Sequence, residues 1–535
     1  MNLPIPPKET EAALDRLAVV LDKAIRQASG TAIDEQQVAV ARLADVATKL
    51  RAARDLLAYS REAGEFYQEQ AAVFAGGVAA EIAQLVRQHG PEHGLEPGDW
   101  PGEAVECFTR DASAEARVRA LGRSVAEQRG RNDAPLEEMH ELTRQAAREF
   151  AEKEIAPHAE RIHRNDETIP ESFIEKMSEL GYFGLSIPEE YGGVEMGNVA
   201  MVITTEELSR ASLAAAGSLI TRPEILAKAL LAGGTEKQKQ TWLPQIADGS
   251  LMVGISVTEP DVGSDVASVK CRADPATVEG VEGYSITGPK AWCTFAGRAD
   301  ILAVLLRTDP DLSKGGRGLS LFIVPKERTR EREFECVQPH GGRLVGKADA
   351  TPGYRGMHSY TLNFEGYFVP KENLVGEEGG LHRGFSLQMG GFSAGRLQTG
   401  GRACGVAQAA LEASAAYVVD RNQFGVALID FQLTQHRLGW MSAQLAAARA
   451  ISYSAAAAMD EDPRGAAPYA SQAKLLACDV AVAVTQEGQL LHGGWGYAEE
   501  YPISRYVVDA QVLPIFEGVK AILQLKVVGR SLLAG

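Results

Sequence analysis

The chain reads as a mostly α, α+β protein: a helical region, a small strand-rich region and a second helical region, with an extra helical extension ahead of all three. Two observations predict this. Apolar residues recur at helical spacing from Glu9 to about Gln88, again over 136–250 and again over 380–535. Between them, 251–375 changes to short apolar runs separated by turn residues, as in Ile301-Leu302-Ala303-Val304-Leu305-Leu306 and Leu319-Ser320-Leu321-Phe322-Ile323-Val324-Pro325. A length of 535 residues exceeds what one core supports. The shifts in pattern set four expected domains: 1–130, 131–250, 251–375 and 376–535.

Each region has its own signals. In the extension, Leu14, Leu17, Ala18 and Leu21 form one apolar stripe, and Val38, Val40, Leu43, Val46 and Leu50 form a second. A Gly/Pro-rich break, His89 to Gly98, ends it, and Ser113 to Arg129 reads as a charged helix or linker. The helical stretch that follows is interrupted at Ser186 to Gly193. The extension also repeats the C-terminal helices. Ala41-Arg42-Leu43 to Ala52-Ala53-Arg54 runs parallel to His436-Arg437-Leu438 to Ala447-Ala448-Arg449; Tyr67 and Gln70-Ala71 then match Tyr469 and Gln472-Ala473. Self-similarity of this kind marks a repeat. The extension is therefore read as a degenerate copy of the C-terminal helical hairpin, against the alternative that any two Ala-rich amphipathic helices align this well.

Composition excludes several classes of partner. A net charge of −17, with acidic and basic residues interspersed, opposes binding to nucleic acid or anionic membranes. The six cysteines show no paired metal-ligand spacing, so no metal site is expected, and their scatter suits a reducing compartment. The start carries neither a basic n-region nor an apolar run, and no stretch has the length and apolarity of a bilayer span. A cytoplasmic location is expected.

Four segments carry chemistry. Pro514-Ile515-Phe516-Glu517-Gly518 sets one carboxylate between an aromatic residue and a glycine; in an apolar frame its charged form is disfavoured, which makes a stronger base. An exposed Glu at a helix N-terminus is the plain alternative. Val257-Thr258-Glu259-Pro260-Asp261-Val262-Gly263-Ser264-Asp265 is a loop offering hydroxyls and backbone N–H groups. Ile286 to Thr294 reads as a turn between strands, and alternation would put Trp292 and Thr294 on one face, against a flat ligand, and Cys293 on the other, in packing. Val419-Asp420-Arg421-Asn422-Gln423-Phe424-Gly425, with Phe431-Gln432 after it, would by itself be a helix closed by glycine.

Taken together, in this order and at this spacing, the four segments resemble the flavin-dependent acyl-CoA dehydrogenases from about Leu136 to the C-terminus. The resemblance implies a helical domain, a β-barrel-like middle domain and a C-terminal four-helix bundle, with FAD between the last two. It implies α,β-dehydrogenation of an acyl-CoA thioester: Glu517 as the base for the α-proton, hydride transfer to flavin N5, and an electron-transfer flavoprotein as acceptor. Val257, Thr258, Ser264, Trp292 and Thr294 then match flavin contacts. Arg421, Gln423, Phe424 and Gln432, with Gln489, Gly493 and Gly494, match an FAD site shared between subunits. Ser264, Arg355, Arg396 and Gly518 match positions near the substrate.

Within the family, Ser218 to Glu224, Gly353 to Met357 and Gly395 to Thr399, together with the extension, resemble a subtype acting on a branched dicarboxylic acyl-CoA. Arg222 is the candidate specificity residue, either pairing with a substrate carboxylate or forming a salt bridge with Glu224 or Glu206. The sequence departs from the family at Val519 to Gln524, where polar contacts to FAD are missing, and at Ser393, where the subtype has an acid. Turnover of another short branched or aromatic acyl-CoA, an oxidase, and a non-catalytic flavin-binding homologue remain alternatives. If the extension is a copy, it covers the surface on which relatives pair dimers into tetramers, and a homodimer is expected.

Overall fold

A computed structural model describes residues 4–30, 32–133 and 135–534. The extension holds helices α1 (Pro7–Ala28), α2 (Gln37–Ala63), α3 (Glu65–His89), α4 (Glu103–Ala112) and α5 (Glu115–Glu127). Then come α6 (Glu138–Phe150), α7 (Ala156–Asn165), α8 (Glu171–Glu179), α9 (Gly197–Ala211), α10 (Thr221–Gly233) and α11 (Glu236–Ala247). After the strand-rich region follow α12 (Gly384–Asp420), α13 (Gln432–Glu461), α14 (Ala467–His492) and α15 (Ile503–Ala510). The chain divides into two compact units. One takes the chain up to Glu149, Glu206–Ala211 and everything from Thr399; the other takes Phe150–Thr205 and Ser212–Gln398.

The first unit is helical apart from one short hairpin at Asn422 to Ala427. Gly64, at φ +99°, joins α2 to α3 in a hairpin whose apolar side (Leu43, Leu50, Leu56, Val78, Ile82) is buried. This hairpin packs on the α13–α14 hairpin that it resembles in sequence. The Tyr469 hydroxyl donates to Asp55 at 2.6 Å, and the Arg51 guanidinium lies 3.4 Å from the centre of the Tyr469 ring. The repeat sets Arg51 and Asp55 against Ala446 and Ala450, and Tyr67 against Tyr469. Tyr67 lines a small buried cavity with those same two alanines. The contact is thus reciprocal, as between the two halves of an isologous interface.

Ser113 to Arg129 contains no linker. Helix α5 lies against α13 so closely that a Cβ on Gly122 would stand 1.7 Å from the Gln435 carbonyl oxygen, and one on Gly439 2.1 Å from that of Val118. Two glycines at the crossing allow backbone to meet backbone. Below it lies a buried ionic network. Arg449 donates to Glu206 (2.7 Å), the Asn132 carbonyl (2.7 Å) and Gln408 (2.9 Å), and the Tyr453 hydroxyl donates to Glu206 (2.8 Å). Each buried charge is paired, as burial requires.

The second unit holds an eight-stranded sheet: β1 (Val253–Ser256), β2 (Arg272–Val278), β3 (Val281–Thr294), β4 (Ile301–Arg307), β5 (Leu319–Pro325), β6 (Glu333–Val337), β7 (Arg343–Ala348) and β8 (Ser359–Pro370). Its path is β1-β4-β2-β3-β8-β7-β6, with β5 on β4. Strand β4 is buried along its whole length, in keeping with its unbroken apolar run. One face covers a core around Leu302, Val304, Phe322, Leu362 and Phe364; the other packs through Ala303, Leu321 and Ile323 on α10 and α11. The region read as a turn between strands, Ile286 to Thr294, is instead the continuous end of β3, bent by register shifts at Ile286/Thr287 and Lys290/Cys293.

Candidate active site

Glu517 stands in a turn after α15, at φ +53°, with Gly518 following at φ +105°. A non-glycine residue in the left-handed region costs about 1 kcal/mol or more and needs outside support. Support comes from both neighbouring helices. Lys474 of α14 donates to the Gly518 carbonyl at 2.8 Å, the Cys478 thiol reaches the Leu513 carbonyl at 3.3 Å, and the Lys520 N–H closes the turn on the Pro514 carbonyl at 3.0 Å. From α12, Arg402 donates to one Glu517 carboxylate oxygen at 2.9 Å, and the Thr399 hydroxyl donates to the other at 2.8 Å. The Arg402 guanidinium also lies 4.8 Å from the Phe516 ring centre.

The apolar frame expected around this carboxylate is therefore absent. A permanent cation, Arg402, stands against the carboxylate instead. The sequence reading gave Arg402 no role. Its signal is a lone arginine among Gly400-Gly401 and Ala403-Cys404, inside a helix whose neighbouring residues are nearly all buried.

In the second unit, the bulge at Lys290/Cys293 breaks the alternation assumed for Trp292 and Thr294. Trp292 takes φ +57° and is 59% exposed, while Cys293 and Thr294 are both buried. The Thr294 hydroxyl is 2.9 Å from that of Ser359. Burial pushes the Cys293 thiol up to about 12, so it is an inert packing group. Beneath the loop after β1, the fully buried Lys290 donates to the Val257 carbonyl and to Glu259, both at 3.0 Å; Glu259 also accepts from the Lys270 and Cys271 N–H groups. The Ala291 N–H donates to the Thr258 carbonyl at 2.8 Å. These bonds fix Val257 and Thr258 beside β3, whereas Ser264 lies exposed further along the loop.

Arg222, in the first turn of α10, is 6% exposed. It donates to the Ser218 carbonyl at 2.8 Å and to the Tyr354 hydroxyl at 2.9 Å. The salt bridge weighed for it does not form. Glu224 accepts from Gln398 at 2.9 Å, and Glu206 is taken by Arg449 and Tyr453. Arg355 donates to the carbonyls of Thr351 and His163, at 3.0 and 3.1 Å, and Arg396 is half-buried on α12.

The segment after α12 is not a glycine-closed helix end. It forms a hairpin pairing Asn422-Gln423 with Val426-Ala427, and its central residues Phe424 and Gly425 take φ +54° and +86°. Positive φ at both marks a type I′ turn. Arg421, Gln423 and Gln432 are exposed, and Phe424 is 94% exposed. At the end of α14, Gln489 donates to the Gly496 carbonyl at 3.1 Å, and a Cβ on either Gly493 or Gly494 would meet open space. No group of His, Cys, Asp and Glu able to hold a metal occurs among the described residues.

Comparison with known proteins agrees with these features. Family models of the N-terminal, middle and C-terminal domains of acyl-CoA dehydrogenase match residues 137–250, 254–367 and 382–533. The (2S)-methylsuccinyl-CoA dehydrogenase of Cereibacter sphaeroides is 37% identical over 522 residues, covering 94% of this chain and 92% of that protein. A match of that extent includes most of the extension. A solved structure titled for the electron transferring flavoprotein of Acidaminococcus fermentans and flavin-based electron bifurcation is 33% identical, at TM-score 0.68, over 76% of this chain and 100% of its own. A glutaryl-coenzyme A dehydrogenase in complex with glutaryl-CoA is 29% identical, at TM-score 0.67, over 75% and 97%. With a carboxylate held at the C-terminal turn, an exposed tryptophan at the β3 bulge and relatives of this extent, the chain belongs to the acyl-CoA dehydrogenase family, oxidoreductases that use FAD and act on CH–CH donors.

Proposed function

We propose that this protein dehydrogenates (2S)-methylsuccinyl-CoA to mesaconyl-CoA, in the ethylmalonyl-CoA pathway of the cytoplasm, and passes the electrons to an electron-transfer flavoprotein. The observation that carries the substrate class is Arg222: a buried guanidinium that pairs with no carboxylate among the described residues. Such a cation is costly unless a counter-ion arrives, and a dicarboxylic acyl group brings one. The relative that matches most of the extension supports the same choice, as does a structural neighbour in complex with glutaryl-CoA, itself dicarboxylic.

The residues fit the cofactor. The exposed Trp292 ring offers a flat apolar surface to the isoalloxazine, and Val257, Thr258 and Thr294 offer polar and backbone groups. Gly493 and Gly494 leave their backbone open to a dinucleotide, with Gln489 beside them. Ser264 offers a hydroxyl to a phosphate. Arg421, Gln423, Phe424 and Gln432 serve FAD bound to a partner subunit, which their exposure allows. FAD held by these residues would supply the acceptor for the β-hydrogen, which leaves as hydride. Glu517 takes the α-proton, and its own backbone N–H, next to Gly518, stabilises the enolate charge on the thioester oxygen. Arg355 and Arg396 add positive potential for the acyl-CoA.

Anaerobic titration of the yellow protein with (2S)-methylsuccinyl-CoA, butyryl-CoA and isobutyryl-CoA tests this reading. Bleaching of the flavin is expected with methylsuccinyl-CoA alone. Bleaching only by a monocarboxylic thioester would keep the family and overturn the substrate.

A further inference from the structure

Glu517 does not wait as a free carboxylate. Its side chain is 9% exposed and that of Arg402 is fully buried, and the two are in direct contact. Arg402 donates to a Glu517 oxygen at 2.9 Å and, from the same nitrogen, to the Thr399 hydroxyl at 2.6 Å. Thr399 passes the contact on by donating to the second carboxylate oxygen at 2.8 Å. Both oxygens are engaged, so the side chain is fixed in one orientation although its backbone sits in a left-handed turn.

The other charged or titratable groups around the turn are accounted for. Lys474, on α14, donates to the Gly518 carbonyl, and Lys520 is paired with Asp479 at 2.5 Å. Burial pushes the Cys478 thiol up to about 11, so it is neutral. Arg402 is the cation whose guanidinium meets the Glu517 carboxylate.

We propose that Arg402, bridged by Thr399, is the positioning residue for Glu517, holding the carboxylate oriented before the thioester arrives. This rests on the reading of Glu517 as the base. With both oxygens held, the carboxylate needs no reorientation to meet the thioester, and proton abstraction depends first on that geometry.

The test is the pH profile of kcat/KM for FAD-loaded, full-length protein, whose acid limb reports the base in the free enzyme. The substrate is whichever thioester bleaches the wild-type flavin. In Arg402→Gln the acid limb is expected to move to higher pH, because the variant loses the cation in contact with the carboxylate. Activity lost near neutrality should return at higher pH, and kcat should fall more than KM rises. Arg402→Lys should restore most of the wild-type profile, and Thr399→Val should shift it the same way but less. An unmoved acid limb in Arg402→Gln, with only a lower melting temperature, would make Arg402 a structural anchor of the turn. If Arg402→Gln does not fold, Thr399→Val decides: an unmoved limb there overturns the proposal. Glu517→Gln separates the two readings, because near-wild-type turnover in that variant removes the base assignment itself.

Discussion

At the scale of single residues, the most informative groups are cations in unusual places. Arg222 is buried, held by a carbonyl and a tyrosine hydroxyl, and its charge is unmatched by any acid among the described residues. Replacing it with Met should lower kcat/KM for methylsuccinyl-CoA by about 30- to 1,000-fold, the size of losing one partner of a buried charge pair. Turnover of isobutyryl-CoA, which brings no carboxylate, should change by less than about three-fold, a surface-sized effect. Equal losses for both substrates would make Arg222 structural. Arg222 was legible through the family resemblance, as an arginine in a loop where most relatives carry an uncharged residue. It did not assign Arg402, because the ion pair joins residues 115 positions apart. Trp292 was found but mis-aimed: strict alternation predicts a shared face with Thr294, and only the bulge against β8 shows that the ring turns out alone.

At the scale of elements, the period of the apolar pattern made the order of helices and strands legible, but not the nature of the joints. Nothing in Asn422-Gln423-Phe424-Gly425 distinguishes a helix stop from a hairpin, since both want a residue with positive φ; strand pairing with Val426-Ala427 decides it. For a similar reason the stretch Ser113 to Arg129 reads equally as a charged helix or a linker, and the structure makes it a helix. Its charged residues mask a glycine that matters only against another glycine, at the α5–α13 crossing. That crossing carries a prediction. Gly122→Ala puts a methyl group into the Gln435 carbonyl, an overpacking expected to cost about 1–3 kcal/mol. Denaturant unfolding should show a lower midpoint. A variant as stable as wild type would mean that the helices part easily, and the crossing would lose its role in fastening the extension.

At the scale of the whole molecule, the question is what the extension is for. Its repeat with the C-terminal hairpin was legible in Ala-rich stretches that taken singly prove little, and the reciprocal seating of Tyr469 and Tyr67 adds a physical reason for the match. If the extension is a copy of that hairpin, packing on its own original would occupy the face by which a second molecule would otherwise pack there. Several charged and polar bonds fasten it, among them Gln70 to Ser442 (2.6 Å) and Gln524 to Asp45 (2.8 Å). Gln524 lies in the run expected to depart from the family pattern, and its side chain is spent on the extension. The exposed hairpin with Phe424 is left free for a partner on another face. These features together predict a dimer that stops at two chains. Sedimentation equilibrium of the FAD-loaded protein over a wide concentration range should give about twice the chain mass of 57.3 kDa. A tetramer would show that the extension does not block that face. A monomer that retains FAD and turnover would instead remove the shared cofactor site and the role given to Arg421, Gln423 and Phe424.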